Sequence, residues 1–220
     1  MAVSNAQILQ GPPSLTRRAE WAMLVKITGA SMNLTPKASL LAATALVLLA
    51  DTATPSMSAI LSSTAPVGFE LQKGRAQAPR TPFVDQAGKR VTLDTFKGKV
   101  VVLNFWATYC GPCIVEMPSL ERLSQRLPTD RFVVLPVSQD KGGAPIATPF
   151  LAKIGVHKLK VFFDTNARLY RDFSVRGLPT TFVVNRDGTV ASRLEGTYQW
   201  DTPEISAYLE AISKQGVAGK

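Results

Sequence analysis

The sequence predicts an α/β domain, and three features carry that prediction. From Gln77 onward, short apolar runs alternate with stretches of helical periodicity, the order expected of an α/β chain. One run, Val100 to Phe105, is apolar almost throughout and leads directly into Cys110-Gly-Pro-Cys113, which reads as a strand feeding a helix. Further on, Thr181 to Val184 and Val190 to Leu194 flank Asn185-Arg-Asp-Gly188, a strong hairpin signal. At 220 residues the chain exceeds the usual domain size of about 100–150, and the excess lies at the N-terminus.

Taken in order, residues 1–36 read as a leader. Signal peptides usually begin with a short basic segment, and Met32-Asn-Leu-Thr-Pro-Lys37 supplies one, so translation is expected to start at Met32 with the preceding residues a gene-model extension. Ala38 to Ala50 is an uninterrupted, mostly apolar run of 13 residues, shorter than the stretch of about 20 that a membrane span needs. Residues 37–59 are therefore expected to form a signal peptide, cleaved near Ser56, Ser58 or Ala59, or else an uncleaved N-terminal anchor. A lipid-modified cysteine is excluded because none lies nearby. Either outcome places the domain in the periplasm, free or tethered to the inner membrane. Residues 60–76 then read as a flexible linker, 77–215 as the folded domain and 216–220 as a tail.

Within the domain, Pro82 to Val84 and Arg90 to Leu93 flank Gln86-Ala-Gly-Lys89 and predict an N-terminal hairpin, followed by a short helical turn from Leu93. After the dithiol, Met117, Leu120, Leu123 and Leu127 recur at helical spacing, with Glu121, Arg122, Gln125 and Arg126 opposite them. Pro118 is expected to kink that helix. Next come a strand over Phe132 to Val137, a helix around Ile146 to Ile154, a strand over Val161 to Phe163 and a short helix from Ala167 to Phe173. The hairpin follows, and an amphipathic helix over Pro203 to Lys214 closes the domain.

The net charge of +9 raises the question of nucleic acid, but no basic helix or aromatic-interleaved basic motif accompanies it. It reads instead as a solvated basic surface that attracts acidic partners.

The chemistry lies in the only two cysteines, Cys110 and Cys113. The start of a helix brings two such residues within the Cβ separation of about 3.5–4.5 Å that a disulfide requires. So small a loop adds little stability, which suits a bond that is made and broken. Unpaired backbone N–H groups and the helix dipole favour the thiolate of Cys110, the nucleophile candidate, while Cys113 lies a turn deeper as the resolving thiol. Gly111 removes bulk beside the nucleophile, and Pro112 sits where a missing N–H costs nothing. Two bland alternatives stand beside this reading. Structural zinc needs four ligands, and apart from the cysteines the chain has one histidine, His157. A purely structural disulfide is the other alternative.

Phe105 to Cys113, followed by Glu116-Met117-Pro118, closely resembles the active-site segment of the thioredoxin superfamily, and its Glu-x-Pro ending is most similar to the TlpA/ResA branch of envelope thiol-disulfide oxidoreductases. Val175 to Val184 resembles the loop in which that family carries a cis-proline, making Pro179 the candidate. The resemblance covers roughly residues 77–215. It implies a thioredoxin-like fold, with a central mixed sheet flanked by helices, an added N-terminal hairpin and an insertion between the central strand and the cis-Pro loop. A cis bond here exposes the backbone of Leu178 beside Cys110, where an extended substrate segment pairs with it.

The resemblance further implies dithiol-disulfide exchange with no cofactor and no metal beyond the Cys110–Cys113 pair. Thioredoxin itself has a buried aspartate where this chain has Asn104, and an amide accepts no proton; Glu116, which the TlpA/ResA branch shares, is the expected proton acceptor. Trp106 is expected beside the dithiol, keeping it partly dry or packing the core, and Tyr109 at the substrate surface. Together with Gly111, Pro112, Leu178 and Pro179 they form the expected substrate-binding set. A reductase is implied, acting as a monomer on partner proteins such as apocytochrome c or the copper-delivery factors of cytochrome oxidase, and drawing electrons from a membrane thiol reductase. The Gly-Pro dipeptide and Glu-Met-Pro ending favour the TlpA type. The competing class is a copper-binding chaperone with the dithiol as soft ligands and His157 as the sole distal candidate.

Overall fold

The computed structural model describes residues 65–215; the leader, the signal or anchor segment, the first linker residues and the tail lie outside the described residues. Eight strands form one sheet: β1 (Glu70–Leu71), β2 (Phe83–Val84), β3 (Arg90–Val91), β4 (Val100–Trp106), β5 (Phe132–Ser138), β6 (Phe162–Phe163), β7 (Thr180–Val184) and β8 (Val190–Glu195). Their order across the sheet is β1-β8-β7-β4-β5-β6-β2-β3. The helices are α1 (Gly111–Arg126), α2 (Ala144–Lys153), α3 (Arg168–Asp172) and α4 (Pro203–Gln215), with a 3-10 turn at Leu93–Phe96.

The central strand explains the architecture. All seven residues of β4 are buried, as its sequence, apolar except for Asn104, requires of a strand covered on both faces. It runs parallel to β5 and antiparallel to β7, so the sheet is mixed. Alternation along β4 sends Val100, Val102 and Trp106 into the core shared with α1 and α4, and Val101, Leu103 and Phe105 into the core under α3. By the same period, Asn104 belongs to the α1 face, a polar side chain in an apolar layer. Leu120 of α1 is completely buried in that layer; Leu120→Ala is expected to cost about 2–5 kcal/mol, read as a lower urea midpoint at unchanged slope.

The β2–β3 hairpin lies at the sheet edge beyond β6. β6 and α3 intervene between α2 and β7, extend the sheet past β5 and carry Tyr170 and Arg171. The β7–β8 turn closes through Asn185 N–H to Thr189 O at 2.8 Å, with Gly188 supplying a φ of 87° that a side chain rarely adopts. α1 continues on both sides of Pro118.

The segment expected as a linker differs from that reading. Within it, Glu70–Leu71 pairs antiparallel with β8, and the Phe69 ring packs edge-on against Tyr198, Trp200 and Tyr208 at 5.6, 6.0 and 5.4 Å. A two-residue strand has no readable alternation, and one aromatic among glycine and charged neighbours gives no period. The domain therefore begins before Gln77.

Candidate active site

The dithiol sits where β4 ends and α1 begins. The connecting loop is fixed by Asp140, just past β5, whose carboxylate accepts from Thr108 Oγ1 at 2.6 Å, from Thr108 N–H at 3.1 Å and from Ser138 Oγ at 2.8 Å. Cys110 caps α1, and its Sγ accepts the N–H of Cys113 at 3.3 Å. Pro112 falls in the first helical turn, where its missing N–H leaves no bond unmade. The pair is oxidised, with Cys110 and Cys113 joined by a disulfide across a Cα separation of 5.3 Å. Cys113 is fully buried and Cys110 nearly so, while Gly111, Pro112 and Tyr109 are exposed, Tyr109 at 73 %.

Beneath the dithiol lies a buried carboxylate. Glu116 is one turn beyond Cys113 on α1 and only 1 % exposed. Its Oε1 accepts from Asn104 Nδ2 at 2.8 Å, and its Oε2 accepts from Trp200 Nε1 at 2.9 Å and from the Tyr198 N–H at 3.1 Å. Asn104 Nδ2 also donates to Thr181 Oγ1 at 2.9 Å, tying β4 to β7 beneath the site. Burial pushes the Glu116 carboxyl up from its ordinary 4.5 to about 7, against the lowering effect of the bonds from Trp200, Asn104 and Tyr198. All three partners donate, so the cage is wired for the carboxylate. Asn104 Oδ1 is the nearby buried acceptor that has no partner among the described residues.

The Leu178–Pro179 peptide is cis. Leu178 is half-buried, and neither its N–H nor its C=O is hydrogen-bonded among the described residues. Leu178 and Tyr109 border a common cleft, which also includes Gln139, Lys141, Tyr170 and Arg171.

Two expectations need correction. Trp106 is completely buried and packs in the cluster holding Cys110, Cys113 and Met117, so its ring supports the dithiol and offers no surface to a substrate. Its position as the last residue of a fully buried strand decides this. Pro179 is likewise buried, which leaves the half-buried Leu178 as the more accessible member of that pair. His157 is not brought to the dithiol in sequence or by its anchor: its N–H is held by Glu121, eight positions past Cys113 and so about 12 Å along the helix axis. Among the described residues no three His, Cys, Asp or Glu side chains gather as a metal-ligand group. Sequence reasoning missed Asp140, Gln139, Tyr198 and Trp200. The last two approach Glu116 from the segment between β8 and α4, more than eighty positions away, and the two aromatics of Tyr198-Gln-Trp200 are the one local signal that could have found them.

Residues 66–212 match the Redoxin family model. The chain belongs to the redoxin family. Among relatives of this redoxin, the thiol-disulfide oxidoreductase ResA of Bacillus thuringiensis subsp. konkukian is 30% identical over 157 residues, spanning 67% of this chain and 88% of that protein. ResA of Bacillus subtilis is 32% identical over 122 residues, 56% of this chain and 67% of that protein. The crystal structure of a putative thiol:disulfide interchange protein DsbE from Chlorobium tepidum matches the redoxin with a TM-score of 0.56 at 30% identity, covering 65% of this chain and 99% of that one. The redoxin is thus a TlpA/ResA-like thiol-disulfide oxidoreductase with a thioredoxin-like fold, carrying its Cys-x-x-Cys pair at the start of α1.

Proposed function

We propose that this redoxin is an envelope reductase of disulfides in partner proteins, with Cys110 as nucleophile, Cys113 as resolving thiol and Glu116 as the proton acceptor for Cys113. The observation that carries the proposal is the caged carboxylate one turn from Cys113, titrating near neutrality in an otherwise apolar layer.

In the reduced protein, the Cys110 thiolate attacks one sulfur of the substrate disulfide; the other sulfur leaves as a thiolate and takes a proton from water, and a mixed disulfide forms on Cys110. The Cys113 N–H that points at Cys110 Sγ stabilises the starting thiolate. Glu116 then takes the Cys113 proton. Cys113 Sγ attacks Cys110 Sγ, the intramolecular disulfide forms, and the second substrate sulfur leaves. Two electrons have passed from the dithiol to the substrate. A protonated Glu116 needs an acceptor for its O–H, and inversion of the Asn104 amide supplies Oδ1 for it.

The apolar run Ala38–Ala50 supports a location outside the cytoplasm, with the domain free or tethered; no helix among the described residues is long and apolar enough to cross a membrane. By family resemblance, the substrates are apocytochrome c or copper-delivery proteins of cytochrome oxidase, and a membrane thiol reductase restores the dithiol. Direction of electron flow is tested by equilibrating the pair with glutathione. A reductase is expected near thioredoxin's potential of about −270 mV, and a value near the oxidant DsbA's of about −120 mV would rule the reductase reading out.

A further inference from the structure

The cleft beside the dithiol, about 580 Å³ in volume, has a chemical character that disulfide exchange itself does not require. Its lining includes the cations Lys141 and Arg171 and contains no Asp or Glu. Both cations are exposed, and neither forms an ion pair among the described residues. The carboxylates adjacent in sequence are already engaged. Asp140 holds Thr108 and Ser138, Asp164 holds the N–H groups of Arg168 and Tyr170, and Asp172 accepts the Thr81 hydroxyl. No carboxylate forms an ion pair with Lys141 or Arg171 among the described residues, so both ammonium and guanidinium groups remain available to an acidic ligand.

A second, independent observation concerns Gln139, which lines the same cleft at 8 % exposure. Its Nε2 donates to Val137 O at 3.3 Å, but its Oε1 is buried and has no partner among the described residues. A buried acceptor left open in this way is satisfied when a ligand N–H reaches it. Leu178, on the same cleft, has its backbone N–H and C=O free among the described residues. Unpaired cations, an open acceptor and a free stretch of backbone together match one kind of occupant, an extended polypeptide bearing acidic side chains.

We propose that this cleft selects substrate proteins whose disulfide is flanked by Asp or Glu, the acidic side chain pairing with Lys141 and Arg171 while the substrate backbone donates to Gln139 Oε1. The proposal rests on the disulfide-exchange reading above and adds the class of sequence that is exchanged. Tyr109, exposed beside the nucleophile, and Tyr170 supply aromatic faces for the aliphatic parts of the same segment. Charge complementarity of this kind acts mainly on encounter and on discrimination between partners.

The test uses the reduced full-length protein and two synthetic peptides, each with one disulfide and differing only in Glu or Lys residues flanking it. Exchange is followed as the second-order rate constant for oxidation of the Cys110–Cys113 dithiol at low salt, with uncharged hydroxyethyl disulfide as a third substrate for the unsubstituted protein. The acidic peptide is expected to react about tenfold faster than the basic one, and the ratio to shrink as salt is raised. Lys141→Glu with Arg171→Glu is expected to invert the ratio, and the milder Lys141→Gln with Arg171→Gln to bring it near one. Because the readout is a ratio within each variant, a general loss of activity does not imitate it. Equal rates for the two peptides in the unsubstituted protein, with hydroxyethyl disulfide still reduced, would overturn the subsite and leave the exchange reading standing. Failure to reduce hydroxyethyl disulfide at all would overturn the exchange reading itself. Binding of phosphatidylglycerol vesicles that the Glu variants abolish, without any peptide preference, would assign the cleft to a membrane surface and also refute the proposal.

Discussion

Cys113→Ser is expected to abolish turnover while leaving the first exchange step intact, so that the protein accumulates covalently on its substrate through Cys110. In the parent protein, Cys113 attacks from the adjacent turn of the same helix, and intramolecular attack of this kind carries an effective concentration of order 10⁵ M or more. Serine fills nearly the same fully buried volume but does not displace a thiolate, so release falls to whatever external thiol is present. Turnover should drop by at least about 10³-fold on that basis. The check is a non-reducing gel with mass spectrometry, in which adducts must be absent from the Cys110→Ser, Cys113→Ser double variant. Adducts formed equally well through position 113 of a Cys110→Ser protein would reverse the assignment of nucleophile and resolving thiol. The same trap identifies the substrate, because the partner stays attached.

Glu116→Gln is expected to slow resolution by about 10²–10⁴-fold and to remove a rise in rate through about pH 7, which in the parent reports ionisation of the caged carboxyl. The substitution also has a signature independent of activity. In the oxidised protein neither cysteine titrates, and Glu116 holds its proton up to about pH 7 when folded but only to about 4.5 when unfolded. Between those values the folded state binds the extra proton, so stability falls as pH rises through that window and stays lower above it. The loss corresponds to about 3 kcal/mol for the parent and should be absent from Glu116→Gln. Urea unfolding of the oxidised proteins at pH 4.5 and pH 8 measures it. Identical pH dependence in the two proteins would mean that Glu116 does not carry the buried proton. Glutamine keeps an oxygen for Trp200 and Tyr198 but turns an N–H₂ toward Asn104, which matches only if the Asn104 amide inverts.

Much of this architecture is legible along the chain because it depends on local periodicity. The nearly continuous apolar run of β4, the Leu120 and Leu123 stripe of α1 and the Asn185 to Gly188 turn each declare themselves within a few residues. Elements with too little sequence to show a period escaped: the two-residue strand at Glu70–Leu71 reads as linker, and only its pairing with β8 and the packing of Phe69 reveal that it belongs to the domain. Trp106 illustrates a different gap. Its place in the motif left substrate contact and core packing both open, and the pleat of β4 decides for the layer beneath the dithiol.

What the sequence determined by itself is the identity of the reactive pair and its local setting. Two cysteines at a helix start, preceded by a buried strand, fix the geometry of a redox dithiol through neighbouring backbone alone. Tertiary structure decided how that pair is served. Glu116 becomes a carboxyl that titrates near neutrality only because β4 and the segment before α4 meet over it, removing water and bringing Asn104, Tyr198 and Trp200 to its oxygens. The cleft of Lys141, Arg171 and Gln139 likewise forms only when the end of β5, α3 and the loop before β7 come together. Desolvation and charge complementarity are properties of what surrounds a group, and those surroundings are drawn from residues far apart in the chain.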